Sequence, residues 1–153
     1  MRLVTMTVDG REHTIPVGDD ELLLDVLRDK IGAYSVREGC GVGACGACTV
    51  LAGGKSVSSC LARAVRYDGV EITTAQGLPK DDEVVSSFVD TKAMQCGYCI
   101  PGFVLMAHEL LGENPSPSRQ EICDHLEGNI CRCGTYPEIC SAIEKAAALR
   151  QKS

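Results

Sequence analysis

Tryptophan is absent from this chain of 153 residues, and phenylalanine occurs only twice. A core built on large aromatic side chains is therefore excluded, and the length allows one sizeable core or two small ones. An excess of cations is missing too: 15 Lys and Arg stand against 21 Asp and Glu, a net charge of −6. No basic run or aromatic-rich surface pattern offsets that balance, which argues against a nucleic acid partner. No apolar run approaches membrane-spanning length. The start, Met1-Arg2-Leu3-Val4-Thr5-Met6, runs straight into a strand-like alternation without the apolar core of a signal peptide, and no Arg-Arg pair marks a twin-arginine signal. The expected setting is cytoplasmic, where thiols stay reduced and clustered cysteines bind metal. No Ser–His–Asp set or phosphate-cradling loop is present, so no catalytic residue is assigned. His13, His108 and His125 stand singly and read as surface or helix-face residues.

Cysteine, by contrast, is abundant, with ten residues. Cys40, Cys45 and Cys48 have C-x4-C-x2-C spacing, and Cys60 follows after a gap of eleven residues. This is the ligand spacing of a plant-type ferredoxin [2Fe–2S] cluster. Two irons and two sulfides held by four thiolates carry net negative charge, so the site needs soft anionic ligands and backbone N–H groups turned toward sulfur. Gly41, Gly43, Gly46, Ala44 and Ala47 between the ligands let the backbone wrap closely. A zinc site would favour paired C-x2-C knuckles, and a disulfide framework would suit a secreted chain; both fit less well.

Taken in order, Leu3 to Val8 and Arg11 to Val17 read as strands around an Asp9-Gly10 turn. Asp19 or Asp20 is positioned to cap a helix through Leu22, Leu23, Val26 and Leu27 that ends near Gly32. Thr49 to Ala52 and Lys55 to Val57 form a second hairpin around Gly53-Gly54, and Val70 to Thr74 a closing strand. Gln76 to Lys80 has turn chemistry, and beyond it the apolar period changes from 2 to about 3.6. Asp81 or Asp82 caps a first helix there. Pro101 lies in the first turn of a second, which Gly112 closes. Ser118 to Glu121 is a capping box for a third ending at Gly128, and Thr135 to Glu138 repeats that pattern for the last. The expected fold class is α+β: a β-grasp, ferredoxin-like domain over residues 1–76, then a four-helix bundle over residues 77–153.

Two of the bundle helices are preceded by cysteines, Cys96 with Cys99 and Cys131 with Cys133. Helix N-termini offer unpaired N–H groups and partial positive charge, which suits an anionic cluster. The spacing alone leaves zinc as a rival there. Cys123 and Cys140 are left over in helical patterns and read as buried small hydrophobes. Arg132, between two ligands, reads equally as a group tuning a cluster or as a surface residue pairing with a partner.

The combination of Cys40-x4-Cys45-x2-Cys48-x11-Cys60 with Gln95-Cys96-Gly97-Tyr98-Cys99 and Gly128-Asn129-Ile130-Cys131-Arg132-Cys133 resembles the small iron–sulfur subunit of the xanthine oxidase family, the molybdenum hydroxylases. The resemblance covers nearly the whole chain. It implies two [2Fe–2S] clusters, one ligated by Cys40, Cys45, Cys48 and Cys60 and the other by Cys96, Cys99, Cys131 and Cys133. It implies an electron-transfer subunit that takes electrons from a molybdenum centre on a separate large molybdopterin-binding subunit. Those electrons would pass to FAD on a medium subunit or to another acceptor, and no substrate chemistry would occur in this chain. Gln95 and Cys133 match residues that approach the pterin in relatives. Ile100-Pro101-Gly102 departs from the family's frequent Thr-Pro-Gly. Cys133-Gly134-Thr135-Tyr136 reverses the middle pair of its Cys-Thr-Gly-Tyr, a form that resembles a subset including isoquinoline-type oxidoreductases.

Overall fold

The computed structural model describes residues 1–153. Strand β1 (Arg2–Val8) buries Val4, Met6 and Val8 on one face, the period of two that fixes its register. It turns through Asp9 and Gly10, both at positive φ as a tight hairpin requires, into β2 (Arg11–Val17). The Asp9 carboxylate accepts from the Thr74 amide and hydroxyl, each at 2.7 Å, so the hairpin tip holds the far end of the sheet segment.

The first helix, α1 (Leu23–Asp25), is short and opens at once into wider π-helical turns over Val26–Ile31, closed by Gly32 at φ 83°. Neither Asp19 nor Asp20 caps it; the N-cap is Leu22, without a side-chain bond. Glu21 occupies this corner instead, accepting from the Gly18 amide at 2.9 Å and pairing with Lys30 at 2.6 Å. Strands β3 (Thr49–Ala52), β4 (Lys55–Ser58) and β5 (Glu71–Thr73) complete a sheet of order β2-β1-β5-β3-β4, in which only the β1–β5 pairing is parallel. Leu23, Leu24, Val26 and Leu27 pack on Val4, Met6, Val50 and Ile72 to make one core.

The second core belongs to four helices, α2 (Glu83–Asp90), α3 (Ile100–Glu113), α4 (Arg119–His125) and α5 (Tyr136–Lys152). It is built on Phe88, Phe103, Leu110, Ile122, Ile139 and Ile143. The expectation of an α+β chain with a sheet first and helices after is met. Asp82 caps α2, its Oδ1 accepting from the Val84 and Val85 amides at 3.0 Å, and Ser118 with Glu121 forms the capping box of α4. Three boundaries differ from expectation. Gly112 lies inside α3, which runs on to Glu113. Helix α4 stops at His125, before Gly128. Thr135 precedes α5 but makes no side-chain cap bond, because its hydroxyl faces a cysteine.

No helix is long and apolar enough to cross a membrane. His108 is not a free helix-face residue: it stands 3.0 Å from Asp82 and accepts from Arg150 at 3.1 Å, joining α2, α3 and α5. His125 stands 3.2 Å from Glu109.

The sheet and the bundle are packed together. Glu109 on α3 accepts from the Ser56 amide at 2.6 Å and the Ser56 hydroxyl at 2.9 Å. Gly102 on α3 lies so close to the Gly46 carbonyl that a Cβ there would collide with it.

Candidate metal centres

The loop Cys40–Cys48 turns back on itself through Gly41, Gly43 and Gly46, at φ 67°, 71° and 75°. Those left-handed residues aim successive amides at one sulfur: the N–H groups of Val42 and Ala44 donate to Cys40 Sγ at 3.4 and 3.2 Å. These amides, with that of Cys45, lower the Cys40 thiol to about 6, since each stabilises the thiolate. Cys45 lies close enough to Cys40, and Cys48 to Cys60, to shift the neighbouring thiol, and the Cys40 charge is felt at Cys60. Burial, then the Cys48 contact, raise Cys60 to about 11. Gly39 sits against this set; a Cβ on it would come within 2.6 Å of Cys45 Sγ.

The other four cysteines meet at the start of α3 and before α5. Cys99 is the residue at the N-terminal boundary of α3, and Cys131 and Cys133 lie in the turn leading to α5. Thiol contacts pair Cys96 with Cys133 and Cys99 with Cys131. Each pair holds one thiol pushed down and one pushed up. Cys99 rises to about 12, chiefly through burial. Cys131 falls to about 7: burial opposes its ionisation, but the Thr135 hydroxyl and amide, Cys99 and the Cys133 amide outweigh it. Cys96 is lowered first by the Tyr98 amide. For Cys133, the Cys96 amide favours the thiolate, but the Cys96 thiol and burial win and raise it. The Thr135 hydroxyl lies 3.2 Å from Cys131 Sγ, while Tyr136 Oη accepts from the Cys131 amide at 2.7 Å and stacks edge-on against Phe103.

The donor chemistry fits two binuclear iron–sulfur groups. Each site offers four thiols in two contacting pairs, two per iron, with amide or hydroxyl donors on the sulfurs. A cavity of about 340 Å³ lies between the two sets, bordered by Cys40 and Cys45 on one side and Cys96 and Cys99 on the other, with Arg132 at its edge.

Sequence reasoning missed the residues that join the two sites. Arg37 donates to the carbonyls of Gly97 at 2.6 Å and Tyr98 at 3.0 Å, and its guanidinium lies 5.2 Å from the Tyr98 ring centre. Tyr98 returns a bond from its hydroxyl to the Glu38 carbonyl at 2.6 Å. The Ile130 amide donates to the Cys45 carbonyl at 2.9 Å, and the Asn129 side chain to the Gly46 carbonyl at 3.3 Å. The nearest available signal was position: each of these residues is within three of a cysteine of the motif. Gln95, Cys96, Met94 and Arg132 are exposed, and Cys133 is half-buried.

Residues 6–73 match the 2Fe-2S iron-sulfur cluster binding domain family, and residues 74–144 match the [2Fe-2S] binding domain family. The nicotinate dehydrogenase small FeS subunit of Eubacterium barkeri is 38% identical over 146 residues, covering 94% of this chain and 93% of that protein. The chain belongs to the small iron–sulfur subunits of the molybdenum hydroxylases. Another member, the isoquinoline 1-oxidoreductase subunit alpha of Brevundimonas diminuta, is 37% identical over 133 residues, 86% of this chain and 88% of the relative. Quinoline 2-oxidoreductase from Pseudomonas putida superposes with a TM-score of 0.93 at 34% identity, over 99% of this chain and 97% of that one. Aldehyde oxidoreductase from Desulfovibrio desulfuricans superposes with a TM-score of 0.95 at 37% identity. That match covers 99% of this chain but 17% of the larger one, so the small subunits of this family have a counterpart within a longer polypeptide. Membership makes this chain the carrier of two [2Fe–2S] clusters and an electron-transfer component of a molybdenum-containing oxidoreductase.

Proposed function

We propose that residues 1–76 hold one [2Fe–2S] cluster through Cys40, Cys45, Cys48 and Cys60, and residues 77–153 the other through Cys96, Cys99, Cys131 and Cys133. Bound there, the clusters supply one-electron transfer. The chain's own residues do the rest: they fix the separation of the two ligand sets, donate hydrogen bonds to sulfur and bury Cys48, Cys60 and Cys131 away from water. The observation that carries this reading is the sorting of eight thiols into four contacting pairs, two pairs per half.

Electrons enter on the bundle side, from a molybdopterin on a large partner subunit. They leave from the first four cysteines toward FAD on a medium subunit or another carrier. Gln95 and Cys133 face the pterin in this arrangement. The exposure of Met94, Gln95, Cys96, Tyr98, Ile130 and Tyr136 around the bundle ligands supports it, since a free-standing ferredoxin would be expected to cover that surface. The setting is cytoplasmic, where thiols stay reduced and clustered cysteines bind metal.

The test is metal analysis and electron paramagnetic resonance of the purified complex containing this chain. The expected result is about four irons per chain, two ligated by each cysteine set, and two distinguishable signals on reduction. Cys131→Ser should alter one signal and spare the other. Zinc in place of iron, or the loss of both signals from that one change in a folded protein, would overturn the reading.

A further inference from the structure

Two cysteines stand outside both ligand sets, and the fold brings them together. Cys123 on α4 and Cys140 on α5 are separated by 17 positions, yet their sulfurs lie 3.8 Å apart. Cys123 is exposed, whereas Cys140 is only 6% accessible. A hollow of about 380 Å³ opens beside them, with Leu126, Ile130 and Tyr136 on its walls. Arg119 lies one turn before Cys123, paired with Glu144 one turn after Cys140 at 2.9 Å, so one charge of each sign flanks the thiols. Burial, and then the contact with Cys123, raise the inner Cys140 thiol to about 11.

From this geometry we infer that Cys123 and Cys140 form a reversible thiol–disulfide couple that reacts with low-molecular-weight disulfides, independently of the iron ligands. The sulfurs need only close from 3.8 Å to the about 2.05 Å of a disulfide, a shift within reach of side-chain rotation. The exposed partner attacks first. The Cys123 thiolate breaks the S–S bond of a small disulfide, forms a mixed disulfide and expels one thiolate. Cys140 then loses its proton and attacks the Cys123 sulfur, closing the protein disulfide and expelling the second thiolate. Two protein thiols lose two electrons and two protons, and one small disulfide becomes two thiols. The cross-link joins α4 to α5 behind the segment Leu126–Cys131, which carries Ile130 and a bundle ligand.

The test treats the purified, iron-loaded complex with oxidised glutathione, quenches it in acid, alkylates the remaining thiols and maps the peptides. The expected product is a Cys123–Cys140 disulfide, with iron content unchanged and full reversal by dithiothreitol. Cys140→Ser should stop at a glutathione adduct on Cys123, and Cys123→Ser should take up no glutathione and form no disulfide. A glutathione adduct that persists on Cys123 of the unaltered protein would overturn the inference. So would failure of either sulfur to react, or a disulfide that forms only as iron is lost.

Discussion

The backbone amide of Ile130 donates to the backbone carbonyl of Cys45 across 2.9 Å, so one hydrogen bond joins a cysteine of the first set to the residue preceding Cys131 of the second. Nothing shorter connects the two loops covalently, because 84 residues of chain separate the positions Cys45 and Ile130 apart from this contact. The bond therefore bridges the two ligand loops.

Replacing Ile130 by proline removes that donor and leaves the Cys45 carbonyl without its partner, at a cost of about 1 kcal/mol. Denaturant unfolding of the complex should show a loss of that order. Both paramagnetic signals should persist while electron transfer between the sites slows, as read by rapid-freeze reduction. Ile130→Val keeps the amide and should leave the rate unchanged. An unaltered rate in the proline variant would remove the hydrogen bond from the relay.

Glycines 102 and 112 lie on the same helix and should respond to alanine with opposite signs. A Cβ on Gly102 would run into the Gly46 carbonyl and come within 3.3 Å of the Asn129 side chain, so the helix must back away from the ligand loop. Overpacking of this kind costs roughly 1–3 kcal/mol. A Cβ on Gly112, inside the same helix, would meet nothing within 4 Å. Alanine there should add about 0.5–1 kcal/mol of stability through helix propensity alone. Thermal unfolding of the two variants separates them.

Thr135 is the residue whose role changed most between sequence and structure. Read locally it completes a helix cap; in the fold its hydroxyl lies 3.2 Å from Cys131 Sγ. A donor on sulfur favours the more negative, reduced state, so Thr135→Val should lower the potential of the bundle site. A hydrogen bond of about 1 kcal/mol corresponds to about 40 mV for a one-electron couple. Potentiometric titration followed by paramagnetic resonance should show one signal shifted and the other in place.

What was legible in the sequence is what depends on neighbours along the chain. The Asp9-Gly10 and Gly53-Gly54 turns, the Asp82 cap and the Ser118–Glu121 box each need only a few adjacent residues, and each is present. The ligand motif likewise declares itself by spacing. The helix after Leu22 and its end at Gly32 were legible too, but its π-helical turns were not, since they follow no 3.6 period, and neither Asp19 nor Asp20 caps it. The groups that join the two halves escaped for another reason. Arg37 reaches Gly97 across 60 positions and Asn129 reaches Gly46 across 83, so no local pattern marks them. Cys123 and Cys140 read separately as small core residues; only the packing of α4 on α5 makes them a pair, and it leaves Cys123 exposed.

The end of α5 is tied down by a charge network that acid should release. Arg150 pairs with Glu83 at the start of α2 and also donates to His108, which faces Asp82. The Arg150 hydrogen bond holds the Glu83 carboxyl below its ordinary value of 4.5. A depressed folded-state pKa contributes stability that is fully present above the unfolded value and is lost as pH falls through the folded one. The contribution should therefore be constant above about pH 5 and fade below about pH 4.5, the window set by an ordinary carboxylate. Both partners are partly solvated, with side chains 25% and 33% accessible, so solvent screening limits the effect to about 0.5 kcal/mol. Glu83→Gln should lower stability slightly at neutral pH and flatten its fall on acidification. Hydrogen exchange at the last turn of α5, followed from pH 6 to pH 4, checks this: the unaltered protein should lose protection across that range, and the variant should begin with less and lose less.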